Sequence, residues 1–156
     1  MISLYQLHGL LRFIAFGILF PIGALIAVFR EYIGESWYKW HVGIQLTAVV
    51  LVFIALIVVH IPKKKARVDK KYYRLHKIIG PTIVMLIITQ VFWAYVGRKI
   101  VSWTPWLYIH MALSASIIGL GWFNLYIGKQ MVTSTEAPQK DAKNTTDSRD
   151  QKEKKD

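Results

Sequence analysis

The chain has 156 residues, 54% of them apolar, and no cysteine, which excludes a disulfide framework, thiolate zinc sites, iron–sulfur ligation and thiol catalysis. Mean hydropathy is +0.34 despite a very polar C-terminal segment, a combination that excludes an ordinary soluble domain built around one core. Net charge is +11, yet the residues after Gln130 hold six basic and six acidic side chains, so the whole excess lies on the apolar part. Positive charge flanking apolar stretches speaks for membrane topology and lipid headgroups, not for nucleic acid.

Four apolar stretches follow in chain order: Leu7–Phe29, His41–Ile61, Leu75–Val96 and Trp106–Ile127. Each has roughly the 20 residues that carry a helix across a hydrocarbon core of about 30 Å. Backbone in lipid must satisfy its own hydrogen bonds, so each is expected to be a helix. The first is too long for the apolar core of a signal peptide and lacks a small-residue cleavage site, so it reads as an uncleaved span. The connections Arg30–Trp40, Pro62–Arg74 and Gly97–Pro105 are short, which makes neighbouring spans antiparallel. Tyr32, Trp37, Tyr38, Trp40, Tyr72, Tyr73, Trp103, Trp106 and Tyr108 gather at the span ends as an aromatic belt. The expected fold is an all-α transmembrane antiparallel four-helix bundle over residues 1–130, followed by a disordered charged tail over 131–156. No internal repeat is visible.

Side A is defined as the side that holds the N-terminus. It also holds Lys63, Lys64, Lys65, Arg67, Lys70, Lys71, Arg74 and Lys77, whereas side B has only Arg30, Lys39, Arg98 and Lys99. Counting Lys and Arg in the short loops places side A, with both termini, in the cytoplasm.

Of the five histidines, His8, His41, His76 and His110 each lie near the N-terminal end of their own span. Because spans alternate in direction, His8 and His76 fall near side A and His41 and His110 near side B. First with third and second with fourth are the diagonals of a square bundle. Two histidines facing each other at one depth can give both axial nitrogens to a haem iron, so the pattern predicts two stacked bis-histidine haems. A lone histidine in a span is usually a packing residue, but ionisable groups are rare there, and one per helix at matched depth points to ligation. Gly80 and Ser114, one turn after His76 and His110, with Gly17, Gly23, Gly119 and Gly121, offer space for a macrocycle or for close helix packing. Arg12, one turn after His8, either pairs with a haem propionate or snorkels to the headgroups. His60 lies about 28 Å beyond His41 along an ideal helix, at the side A surface, and reads as interfacial or as a minor aid to donor binding or proton release.

Taken together, these residues resemble the cytochrome b561 family, in the form whose core elsewhere is fused to a DOMON domain. Over roughly residues 7–128 the likeness rests on His8-Gly9-Leu10-Leu11 with Gly17, Pro21 and Gly23, and on Trp37-Tyr38-Lys39-Trp40-His41 with Gln45. It continues through His76, Gly80 and Gln90 to Trp106, His110, Asn124 and Gly128. The resemblance implies two b haems held by His8 with His76 and by His41 with His110. It also implies electron transport from ascorbate, or a similar small reductant, to monodehydroascorbate or a ferric chelate. A homodimer would fit it, and its usual orientation is opposite to that of the charge count. Lys39, Arg98 and Lys99 on side B, and Lys70, Lys71, Arg74 and Lys77 on side A, are candidates to attract an anionic donor or acceptor, against topogenic charge as the plainer role. Two other readings stay open: a di-haem b subunit exchanging electrons with quinone or a soluble redox partner, and a non-redox membrane protein.

Overall fold

The computed structural model describes residues 3–61 and 70–153, with side-chain surroundings as far as Met131. Four helices are long and apolar enough to cross a membrane: α1 Leu4–Val28, α2 Trp37–His60, α3 Lys70–Ile100 and α4 Trp103–Met131. The expected side A residues Lys63, Lys64, Lys65 and Arg67 lie outside the described residues. The expected tail has a helical backbone to Glu153, and beyond Met131 its side chains lie outside the described residues.

The helices run further into the interfaces than the apolar stretches indicate, and local signals account for it. α1 starts at Leu4 because Ser3 and Gln6 form a capping box: Gln6 N–H donates to Ser3 Oγ at 3.2 Å and Ser3 N–H to Gln6 Oε1 at 2.9 Å. α4 starts at Trp103 and takes Pro105 in its first turn, where the missing N–H costs no ladder bond. The expected loop Gly97–Pro105 thereby shrinks to Val101 and Ser102. On the same side a single turn, Arg30–Ile33, ends at Gly34, whose φ of 77° suits a residue without Cβ and turns the chain into α2.

Two spans contain π-helical segments, Ile14–Leu19 in α1 and Trp93–Gly97 in α3. A π turn shifts the backbone ladder, and both segments find partners on α4. Trp122 Nε1–H donates to Phe16 C=O at 2.7 Å, while Trp93 and Trp106 exchange indole N–H bonds with each other's carbonyls at 3.2 and 3.1 Å.

α1 packs along α2, α3 along α4, and α1 also touches α4. The core lies at mid-height: Ala15, Phe16, Phe20, Ala48, Val52, Ile83, Ile87 and Ile117. Leu25, Ile57, Met85 and Tyr126 face outwards, as lipid contact allows. Helices in lipid gain little from burying apolar surface against one another, so close backbone approach and interhelical hydrogen bonds carry more of the association. Gly121 illustrates this: a Cβ there would overlap the ring of the fully buried Phe16, whereas one at Gly119 would meet open space. These glycines therefore divide. Gly121 admits a neighbouring side chain, and Gly119 faces outwards. Gly121→Ala is expected to destabilise the bundle by about 1–3 kcal/mol and Gly119→Ala to be near neutral, both read by thermal unfolding in detergent.

Candidate functional site: two histidine pairs

His8 on α1 faces His76 on α3 with ring centroids 6.1 Å apart, and His41 on α2 faces His110 on α4 at 6.3 Å. An imidazole nitrogen binds a first-row metal at about 2.0–2.1 Å and lies about 1 Å from its ring centre, so two trans ligands put their centroids about 6–6.5 Å apart. Both pairs have that span. Among the described residues no group of three or more His, Cys, Asp or Glu side chains gathers to hold a metal ion. A pair suits a metal whose remaining positions come from a macrocycle.

The other ring nitrogens decide which atoms face inwards. His8 Nδ1–H donates to Ala55 C=O of α2 at 2.8 Å, and His41 Nδ1–H donates to Gly23 C=O of α1 at 2.7 Å. A carbonyl only accepts, so both rings carry their proton on Nδ1 and leave the Nε2 lone pair free. On α3 and α4 the corresponding partners are side-chain amides. Gln90 of α3 has its amide nitrogen 3.0 Å from His110 Nδ1 and 2.6 Å from Ser114 Oγ. Asn124 of α4, 2% exposed, lies beside His76 but out of hydrogen-bond alignment, so His76 Nδ1 and Asn124 Oδ1 are both buried without a partner. Gln90 Oε1 and Arg12 Nη2 are the other buried polar atoms so placed among the described residues. All of these orphans stand at or beside the histidine pairs.

The tethers are reciprocal and evenly spaced. On α2, α3 and α4 the residue behind the neighbouring helix's histidine follows that helix's own histidine by fourteen positions: Ala55 after His41, Gln90 after His76, Asn124 after His110. Fourteen residues fall about 40° short of four turns and about 21 Å along the axis, so one helix face serves both pairs. α1 uses fifteen, from His8 to Gly23, and its π segment Ile14–Leu19 lies between them and absorbs the extra residue. Gln90 and Asn124 were legible only as points of family likeness. Their fourteen-residue spacing from a histidine is the signal that assigns them a task.

Aromatic rings brace the side B pair: Trp106 stacks on His110 at 5.1 Å and 19°, and Trp37 lies 6.4 Å from His41. Arg12 does not snorkel. It is 4% exposed, with its guanidinium carbon 4.8 Å above the Phe16 ring. His60 is exposed and its Nδ1–H returns to Leu56 C=O of its own helix at 2.6 Å. Lys39, Lys70, Lys71, Arg74, Lys77, Arg98 and Lys99 are all exposed at the two ends. Arg98 lies over Trp103 and Lys99 over Tyr95.

The family model described as eukaryotic cytochrome b561 matches residues 7–135. The chain belongs to the cytochrome b561 family. A protein of Arabidopsis thaliana with cytochrome b561, DM13 and DOMON domains is 39% identical to it over 51 residues, which is 32% of this chain and 6% of that protein. No solved structure matches. The b561 family comprises haem b-binding, multi-pass transmembrane oxidoreductases. The residues fit such a group, with facing imidazoles at the right span, free Nε2 atoms where the rings are tied to carbonyls, and partnerless polar atoms alongside. Were haem held at His76, Asn124→Ala would be expected to weaken its retention about 10–100-fold, the usual cost of losing the polar group behind a ligating histidine. Haem-to-protein ratio during dilution, compared with wild type, measures it.

Proposed function

We propose that the chain passes electrons across a bilayer through two b haems, one held by His8 and His76, the other by His41 and His110. The observation that carries this reading is the pair of histidine spans, set at two levels about 21 Å apart along helices about 30 Å deep in lipid. When bound, haem supplies reversible one-electron oxidation and reduction.

The residues around it shape that chemistry. Two imidazoles per iron leave no open coordination position, which favours outer-sphere electron transfer over oxygen chemistry. Ala55 and Gly23 carbonyls fix the His8 and His41 rings. Asn124 stands behind His76, and Gln90, whose amide N–H donates to His110 C=O and Ser114 Oγ, stands behind His110. Phe16, Val52, Ile83 and Ile87 fill the space between the levels and keep water out of it. Arg12, buried and with Nη2 unpartnered, is assigned the pairing with a haem propionate in this reading.

Substrates are read from charge. Lys39, Arg98 and Lys99 at one end, and Lys70, Lys71, Arg74 and Lys77 at the other, concentrate anions near the haem edges. Ascorbate or a similar reductant suits the donor role, and monodehydroascorbate or a ferric chelate the acceptor role. The excess of Lys and Arg on side A supports a cytoplasmic location for both termini.

Reduced-minus-oxidised spectra test the pairing. His8→Ala and His76→Ala should each remove the same half of the haem, and His41→Ala and His110→Ala the other half. Colourless wild-type protein from haem-replete cells, or losses that pair differently, would end this reading. Orientation has its own test at Asn144-Thr145-Thr146, which accepts N-glycan only in a secretory lumen. The expected result in a eukaryotic host is no glycan at Asn144, scored by a glycosidase gel shift.

A further inference from the structure

The two histidine pairs are built alike. Each has one ring tied to a backbone carbonyl of the neighbouring helix and one ring beside a side-chain amide. Neutral groups, a carbonyl and an amide, stand behind both, so no charged tether distinguishes them. Charge does. Residues 4–28, 37–60, 70–100 and 103–131 contain no Asp or Glu. Among the described residues the one charged side chain in the buried class is Arg12. It lies one turn after His8, about 6 Å further into the membrane, on the side A pair's flank that faces the centre. Its Nη2 has no hydrogen-bond partner, and its guanidinium carbon lies 4.8 Å over the Phe16 ring. Among the described residues, the lysines and arginines at both ends are exposed, where water and salt screen them.

We infer that the buried Arg12 guanidinium sets the two haems at unequal reduction potentials, with the His8–His76 haem the higher. This rests on the di-haem reading above. A fixed positive charge in a low-dielectric interior disfavours the oxidised iron, which carries one more positive charge than the reduced one. A propionate drawn to Arg12 leaves the sign unchanged, because removing the guanidinium then exposes the iron to an uncompensated carboxylate. Transfer between the haems moves one electron, oxidising one iron and reducing the other, with no bond broken and no proton exchanged. The downhill direction runs from the side B pair to the side A pair.

Single-haem proteins make the test clean. His41→Ala retains the side A haem and His8→Ala the side B haem, and each is titrated potentiometrically with and without Arg12→Gln. In the His41→Ala background, Arg12→Gln is expected to lower the reduction equilibrium constant at least tenfold, 59 mV for a one-electron couple. Arg12→Lys, which keeps the charge, should recover most of that. In the His8→Ala background Arg12→Gln should change the constant less than threefold. Equal shifts in both backgrounds, no shift in either, or Lys behaving as Gln does would overturn the assignment to Arg12 while leaving the di-haem reading intact. Haem-free wild-type protein would overturn both.

Discussion

The site depends on one interaction, the hydrogen bond that ties the rear nitrogen of a histidine to the neighbouring helix. Without it an imidazole in a helix groove can turn either nitrogen inwards, and its ring plane is free. With it, Nδ1 is the donor and the Nε2 lone pair is left free. His8 reaches Ala55 and His41 reaches Gly23, so α1 and α2 hold each other at two heights. On α3 and α4 Gln90 and Asn124 occupy the corresponding positions, beside His110 and His76. A slip of one residue between paired helices would move the acceptor by about 100° around its axis. The same contacts that orient the ligands therefore also fix helix register.

That double duty gives a reason for the π segment in α1. Where its partners need fourteen residues between histidine and acceptor, α1 has fifteen. An unbroken α-helix would carry Gly23 C=O away from His41. Widening Ile14–Leu19 restores the alignment, and the Trp122 indole caps Phe16 C=O within the widened stretch. Mid-helix irregularity in lipid is tolerable because a neighbouring helix supplies the missing partner.

Much of this was legible in the sequence. Span number and rough limits follow from hydropathy, and the meeting of His8 with His76 and of His41 with His110 follows from alternating helix direction. The ends were misplaced by a few residues, because aromatic and basic side chains at Trp103 or Lys70 dilute an apolar pattern while tolerating helix. Backbone acceptors could not be read at all, since any residue has a carbonyl and nothing about Ala55 marks its own as the one that His8 reaches. Gln90 and Asn124 could have been, as amides two heptads after a histidine. Arg12 was left between two fates, since a guanidinium one turn below the helix start can reach either water or the interior, and burial decides it.

The choice of tether also explains why one cation carries so much weight. A carboxylate behind a ligating histidine is a common device in metal sites, and it strengthens the ligand. In a bilayer it would bring a desolvated negative charge, costly unless paired. Carbonyls and amides orient the ring without adding charge, so the interior stays electrically quiet. In such a medium a lone guanidinium is poorly screened, and its influence falls as the inverse of distance. It reaches the pair beside it far more than the pair at the other level. A scaffold that puts only neutral groups behind both pairs is thus one in which a single buried charge can make their potentials differ.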